Sequence, residues 1–324
     1  MKTAIIGAGA LGRLLGAYTA RGGGDVTLLD LRRPEKKPEV KELEVRTLSG
    51  ESFRQGVRYA YRLEDAGNLD LLIVCVKTFQ TEDALKPLAA QKDRVKAVVS
   101  FQNGVEKDRV LEAFFGAKKV FGGCCLEAAM PVDESAVMHT MSVVTYLGER
   151  DGRSSDRVRS AVKLIADGGL KAEAREDVVS ADWCKWINFA AASAACGLTR
   201  LPYYKVLLNP HSANLVGQIY REYAGLAGAS GVAVKDYPGF EVKTIAAAPA
   251  EDAVKTLEQR GQGLLQKGAV KVMPSLAQAI CAGRRTEFES IFGFAVREGE
   301  KKKLHMPLTQ HVYAVFRAID ESLE

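Results

Sequence analysis

A chain of 324 residues, 47% hydrophobic and 26% charged, is long enough for roughly two domains and too apolar for global disorder. Its 45 basic and 40 acidic residues leave a formal charge of +5, too dilute at this length to argue for nucleic acid and compatible with a small anionic ligand. No run approaches the ~20 apolar residues of a membrane span, and the start leads directly into a strand and glycines, so neither a leader nor a membrane partner is expected.

The first half alternates strand and helix. Residues 3–6 predict a strand ending in Gly7, 10–20 a helix and 25–29 a second strand. The run 70–76 is apolar after its first residue, as a parallel strand covered on both faces requires. A helix over 79–88, a strand over 95–101, a helix over 106–115 and a strand over 120–127 follow. This alternation predicts a doubly wound parallel sheet of Rossmann type. Between 135 and 148 the pattern reads as two short antiparallel strands, and 155–166 as a helix.

Beyond about position 180 the texture becomes helical, so the predicted domains are 1–176, dinucleotide-binding, and 177–324, all-α and carrying the substrate and catalytic groups. Residues 183–196 are apolar nearly all round, as in a buried helix. Further helices are predicted over 212–229, with Ser212 as N-cap, and over 240–267, 274–282, 287–299 and 307–323. Six cysteines without a C-x-x-C predict reduced core thiols of a cytoplasmic protein, and four histidines offer no metal-ligand spacing.

Gly7-Ala8-Gly9-Ala10-Leu11-Gly12 fits G-x-G-x-x-G, and here it follows a strand and opens a helix. The first glycine permits the tight turn, the second lets a pyrophosphate approach the backbone, and the third lets helix and strand pack closely. Asp30 ends the second strand, where a carboxylate accepts hydrogen bonds from the ribose hydroxyls and favours NADH. Arg32 and Arg33 follow directly and suit the 2′-phosphate of NADPH. Both cofactors remain open, with NADH slightly favoured.

Four later segments narrow the class. Val76-Lys77-Thr78-Phe79-Gln80 and Gln102-Asn103-Gly104 follow two strands, Trp183-Cys184-Lys185 opens the helical half, and Ser275 precedes Gly283-Arg284-Arg285-Thr286-Glu287. In this order the set resembles the ketopantoate reductase (2-dehydropantoate 2-reductase) family over nearly the whole chain. The resemblance implies NAD(P)H-dependent reduction of a 2-oxo acid. Lys185 then matches the general acid and Glu287 the group that holds the reacting hydroxyl. Lys77 and Asn103 match residues lining the nicotinamide side, and Ser275 one that holds the substrate carboxylate. The chemistry agrees, because hydride transfer to a ketone builds negative charge on oxygen, which needs an adjacent acid or cation.

The sequence also departs from that family. Phe189 and Ser193 stand four and eight residues after the lysine, where asparagines are usual, leaving Asn188 as the nearby amide. Val272 and Phe292 replace two more asparagines. The expectation is a retained reaction on a related, bulkier or less polar 2-oxo acid, with Asn188, Ser193 and Ser275 as the polar substrate contacts. Other readings of the same architecture are an opine- or 3-hydroxyacid-type dehydrogenase and a non-catalytic dinucleotide sensor. A homodimer is expected among its partners.

Overall fold

The computed structural model describes residues 1–322; the expected helix end at Leu323 lies outside them. The chain divides into two compact units, one formed by Met1–Gln102 with Glu106–Val178, the other by Asn103–Val105 with Val179–Glu324.

In the first unit the elements run β1 (Thr3–Ile6), α1 (Ala10–Arg21), β2 (Val26–Leu29), β3 (Glu39–Thr47), β4 (Ser52–Ala60), α2 (Leu63–Ala66), β5 (Leu69–Val74), α3 (Thr81–Leu85), β6 (Val95–Ser100), α4 (Lys107–Phe115), β7 (Gly122–Pro131), β8 (Ala136–Gly148), α5 (Asp156–Asp167) and β9 (Ala172–Ala174). The sheet order is β6-β5-β1-β2-β4-β3-β8-β7, with β9 on β8. The first five strands of that order are parallel, as the alternation predicts. β3 is antiparallel to β4, and β7 to β8, so the far half of the sheet is mixed.

Two cores form because the sheet is covered on both faces. One holds Ile5, Leu14, Leu28, Ile73, Val99, Leu147 and Leu164, joining α1 and α5 to the strands. The other holds Ile6, Leu72, Val74, Leu85, Val98 and Leu111, joining α2, α3 and α4. Side chains such as Leu14, Leu28 and Val98 are 0% exposed, and each contributes about 1.5–3 kcal/mol of burial free energy. The sheet path also returns on itself. Val120 bridges Val98 in parallel, and the Phe121 amide donates to the Val98 carbonyl at 3.1 Å. α1 packs against β2, β3, β4, β7 and β8, and its Arg13 donates to the carbonyls of Asp133 and Glu134 at 2.7 and 2.9 Å.

Several expectations are corrected. The two short strands expected over 135–148 are one continuous strand, β8, antiparallel to β7 rather than to each other. His139 interrupts the apolar pattern yet is buried, bonding Glu127 at 2.8 Å and the Tyr18 hydroxyl at 3.2 Å. The β3–β4 hairpin has no counterpart in the predicted elements. The segment 79–88 is α3 flanked by 3-10 turns at Thr78–Gln80 and Lys86–Arg94.

The second unit is helical: α6 (Val178–Thr199), α7 (Tyr203–Leu208), α8 (Pro210–Ala229), α9 (Val242–Ala247), α10 (Ala250–Gln266), α11 (Ser275–Cys281), α12 (Phe294–Lys301) and α13 (Pro307–Glu321), with a two-residue hairpin of β10 (Asp236–Tyr237) and β11 (Phe240–Glu241). The N-cap of α8 is Asn209, not Ser212: its side-chain oxygen accepts from the amides of His211 and Ser212 at 3.1 and 3.2 Å. Ser212 turns its hydroxyl to the Val206 carbonyl at 2.6 Å instead. The helix expected over 240–267 is broken at Pro249, since the residue before a proline is pushed out of helical geometry; Ala248 has ψ 152°. The helix expected over 287–299 begins with a π-turn at Glu289–Gly293. Among the described residues the six cysteines form no disulfide; Cys281 is exposed and Cys75 half-buried. No described helix is long and apolar enough to cross a membrane.

Candidate active site

The glycine turn lies where β1 ends, beside the end of β5. Gly7 has φ +106°, and a Cβ there would meet the Val76 nitrogen at 2.7 Å and the Cys75 carbonyl carbon at 2.8 Å. A Cβ on Gly12 would fall 2.0 Å from the Gly7 oxygen. Both positions are therefore demanded by the fold. Gly9 differs: it is exposed, and nothing lies within 4 Å of the Cβ it lacks. It is the N-cap of α1, it makes no side-chain cap bond, and the first turn contains no acidic residue. The N–H groups of Ala10, Leu11 and Gly12 thus open α1 with the partial positive charge of a helix start. This cradle fits the diphosphate of a dinucleotide, which needs close backbone approach and free donors.

Asp30 follows β2 and is 8% exposed. Arg32 grips it with both prongs of its guanidinium, Nε to Oδ1 at 2.7 Å and Nη2 to Oδ2 at 3.1 Å. Burial alone would raise the Asp30 carboxyl, but the Arg32 hydrogen bonds and charge outweigh it and hold the group below its ordinary value. The two residues read from the sequence as competing cofactor signals are one ion pair, with Arg32 reaching outward at 73% side-chain exposure.

Lys77 begins the loop after β5 and is exposed. Its amide donates to the Gln80 side-chain oxygen at 3.3 Å. Gln102, two residues past β6, fastens that loop: its amide nitrogen donates to the Val76 carbonyl at 2.9 Å and the Thr81 hydroxyl at 2.7 Å. The sequence pattern contains Gln102 but does not by itself assign it a role. The signal was available, because an amide immediately after a buried strand must find partners.

Asn103 belongs to the helical unit, although it follows a strand of the other. Gly104, with φ +89°, brings this turn so close to the π-turn of the helical unit that a Cβ would stand 3.0 Å from the Ser290 oxygen. Glu287 lies just before that π-turn, is 7% exposed, and has its carbonyl bonded by the Ser290 hydroxyl at 2.9 Å. The preceding Thr286 amide donates to Asp320 at 2.9 Å. The turns carrying Asn103 and Glu287 are thereby brought together.

α6 carries Lys185, Asn188, Phe189 and Ser193. Its start is fastened by Ser180, whose hydroxyl donates to the Ala233 carbonyl at 2.6 Å and accepts from Tyr237 at 3.0 Å. Trp183 and Trp186 pack edge to face at 5.3 Å, and Trp186 contacts Tyr223 and Phe294 at 4.6 and 5.5 Å. From 180 to 197 every residue is buried except Lys185, Asn188 and Phe189, which are half-buried. Spacings of three and four place these on one helix face, so the otherwise buried helix has a single accessible stripe. Asn188 accepts from the Tyr220 hydroxyl at 2.6 Å. Ser193 is 0% exposed and its hydroxyl lacks a hydrogen-bond partner. Phe292 is also 0% exposed, packed on Phe316 at 5.2 Å, whereas Val272 is 39% exposed. Ser275 is the first residue of α11 and half-buried.

A sheet that is parallel around its glycine-rich phosphate turn, followed in the chain by a helical unit that presents one lysine on a buried helix, defines a nicotinamide-dinucleotide oxidoreductase of two-unit type. The family Ketopantoate reductase PanE/ApbA matches residues 3–152, and its C-terminal counterpart matches residues 177–320. The chain belongs to the ketopantoate reductase family. A 2-dehydropantoate 2-reductase of Archaeoglobus fulgidus is 29% identical over 322 residues, covering 99% of each chain. The solved structure of a 2-dehydropantoate 2-reductase from Geobacter metallireducens covers 100% of both chains at 25% identity and TM-score 0.79. That of a D-mandelate dehydrogenase with NADH and anilino(oxo)acetate shares the fold at 19% identity, TM-score 0.80, over 100% of this chain and 99% of the other.

Proposed function

We propose that this chain reduces a 2-oxo acid to the 2-hydroxy acid with NADH or NADPH, acting on ketopantoate or on a related 2-oxo acid with a different tail. Family membership in both halves supports the reaction class. The observation that carries the assignment of the chemistry is the stripe on α6, where Lys185, with Asn188 and Phe189, is half-buried on a helix otherwise buried from 180 to 197.

The reduced nicotinamide supplies a hydride when bound. The work left to the chain is to stabilise charge on the carbonyl oxygen and deliver a proton there. Lys185 donates that proton. Glu287 accepts a hydrogen bond from the resulting hydroxyl and orients it. Ser275 binds the substrate carboxylate, while Lys77 and Asn103 line the nicotinamide side. Asn188 and Ser193 are the remaining polar groups of the substrate region on α6. Gly7, Gly9, Ala10, Leu11 and Gly12 hold the diphosphate, and Asp30 with Arg32 holds the adenosine end. In this proposal residues 1–176 bind the dinucleotide and 177–324 supply the substrate and catalytic groups. The protein is placed in the cytoplasm, without nucleic-acid or membrane partners. A homodimer is part of the reading, supported by exposed Leu198, Leu201 and Val315 on the helical unit.

The test is a panel of 2-oxo acids assayed by oxidation of NADH and NADPH. Lys185→Ala should lower kcat by about 10²–10⁴, the range for a positioned acid, while cofactor binding is retained. Near-normal turnover of that variant would remove Lys185 from the mechanism.

A further inference from the structure

The helical unit holds a second concentration of polar chemistry. α10 packs through Ala253, Leu257 and Gly261, and Arg260 lies in phase with that buried stripe. Its Nη2 donates to the Gly239 carbonyl, and its Nη1 lies 3.5 Å from the Tyr220 hydroxyl. The guanidinium carbon stands 5.6 Å from the centroid of the Tyr203 ring. Its ion-pair partner is Glu241 at 3.9 Å, and the Glu241 side chain is 45% exposed against 20% for Arg260. The more enclosed member of this pair therefore has a long and half-exposed counter-charge. A guanidinium has five donors, and a charge taken out of water without a close partner is expensive. Beside it, Tyr203 is 6% exposed and its hydroxyl has no hydrogen-bond partner. Burial raises the Tyr203 hydroxyl above its ordinary value, so it keeps its proton at neutral pH and can donate a hydrogen bond.

The cluster is wired to both parts of the proposed substrate region. Tyr220 donates to Asn188, which shares the α6 stripe with Lys185. The Tyr203 amide donates at 2.9 Å to the carbonyl of Val272, three residues before Ser275. An anionic group here would meet a planar fork suited to a carboxylate and a hydroxyl able to donate.

We propose that Arg260 and Tyr203 form a subsite for a second carboxylate, so that the preferred substrate is a 2-oxo dicarboxylic acid. The proposal rests on the reductase reading above and replaces the less polar tail expected from the sequence with a charged one. The Arg260 fork takes the distal carboxylate, Tyr203 donates the additional hydrogen bond, and Tyr220 links the subsite to Asn188.

The experiment compares kcat/KM for 2-oxo diacids of four to six carbons with that for 2-oxo monoacids of equal length, using both cofactors. The wild-type protein should favour the best diacid over its neutral counterpart by about 10-fold or more. Arg260→Gln should lower that ratio by about 10- to 100-fold, the scale of losing hydrogen bonds to a charged group. Arg260→Lys should restore part of it, and Tyr203→Phe should lower it by about 5-fold. A ratio near or below one in the wild type would overturn the subsite. So would an Arg260→Gln variant that loses both acids equally, the mark of a structural role. Turnover confined to neutral monoacids would defeat the subsite and leave the reductase reading standing. Absence of turnover with every 2-oxo acid would defeat both.

Discussion

Gly9 and Gly12 stand three positions apart in one turn and lack a side chain for different reasons. A Cβ on Gly12 would overlap the Gly7 carbonyl oxygen, whereas a Cβ on Gly9 would meet nothing of the protein. Gly12→Ala should therefore destabilise the fold by several kcal/mol, as overpacking does. Gly9→Ala should melt within about 1 kcal/mol of wild type and bind NADH and NADPH at least 10-fold more weakly. Unfolding curves and cofactor titrations of the two variants check this, and normal binding by Gly9→Ala would remove the glycine turn from the cofactor site. The Asp30–Arg32 pair permits a second comparison. Asp30→Ala frees Arg32 for a 2′-phosphate and removes the ribose acceptor, so the NADH to NADPH affinity ratio should fall. Arg32→Ala should raise it. Equal losses with both cofactors would place the pair away from the adenosine.

At the scale of elements, Glu149 joins the end of β8 to α5. It is 4% exposed, accepts from Arg157 Nε and Nη2 at 2.6 and 2.5 Å, and from the Ser155 hydroxyl at 2.7 Å. Ser155 in turn caps α5 through the Val158 amide at 3.3 Å. Burial raises the Glu149 carboxyl, but the Arg157 and Ser155 hydrogen bonds prevail and hold it below its ordinary value. A carboxylate held low in the folded state stabilises above its unfolded pKa of about 4.3, and that stability disappears as pH falls through the folded value. Glu149→Gln should cost about 1.5–3 kcal/mol at pH 7, the scale of a hydrogen bond to a charged group. The gap between wild type and variant should close below about pH 4. Denaturant unfolding at both pH values measures it; a gap independent of pH would refute the linkage. The same elements explain what the sequence made legible. β1, α1, β5 and β6 announce themselves because long apolar runs bounded by glycine admit few readings. The β3–β4 hairpin was legible too, since Leu43 and Val45 on one strand, with Val57 and Tyr59 on the other, alternate with charged residues as in a half-buried strand, but the runs are short and the surrounding charge masks them. β8 looks like two strands because the exposed Met141 and Ser142 interrupt its apolar run where its pairing with β7 shifts register, an irregularity of the ladder that no local pattern contains. In the candidate site, Lys185 and Glu287 are legible through the family resemblance. Arg260 is not legible in the sequence, because its contacts are to Tyr203 and Tyr220, which come from two other helices.

Cofactor binding should be visible in the stability of the whole molecule. A ligand that binds only the folded state adds about 2.7 kcal/mol at a concentration of 100 Kd. NADH or NADPH at that concentration should raise Tm by a few degrees, while Gly9→Ala, binding at least 10-fold more weakly, should show about half that shift or less at the same concentration. An unmoved wild-type Tm with both cofactors would contradict the dinucleotide site. The helical unit has one further property: it is discontinuous along the chain, because Asn103–Val105 belongs to it together with Val179–Glu324. Gly104 packs on the Ser290 carbonyl, so a three-residue tongue encoded in the first third of the gene is matched to a turn encoded near its end. A crossover between two relatives near position 178 would divide that matched pair between parents, so the halves of this protein can be inherited separately only if the tongue travels with the distant turn.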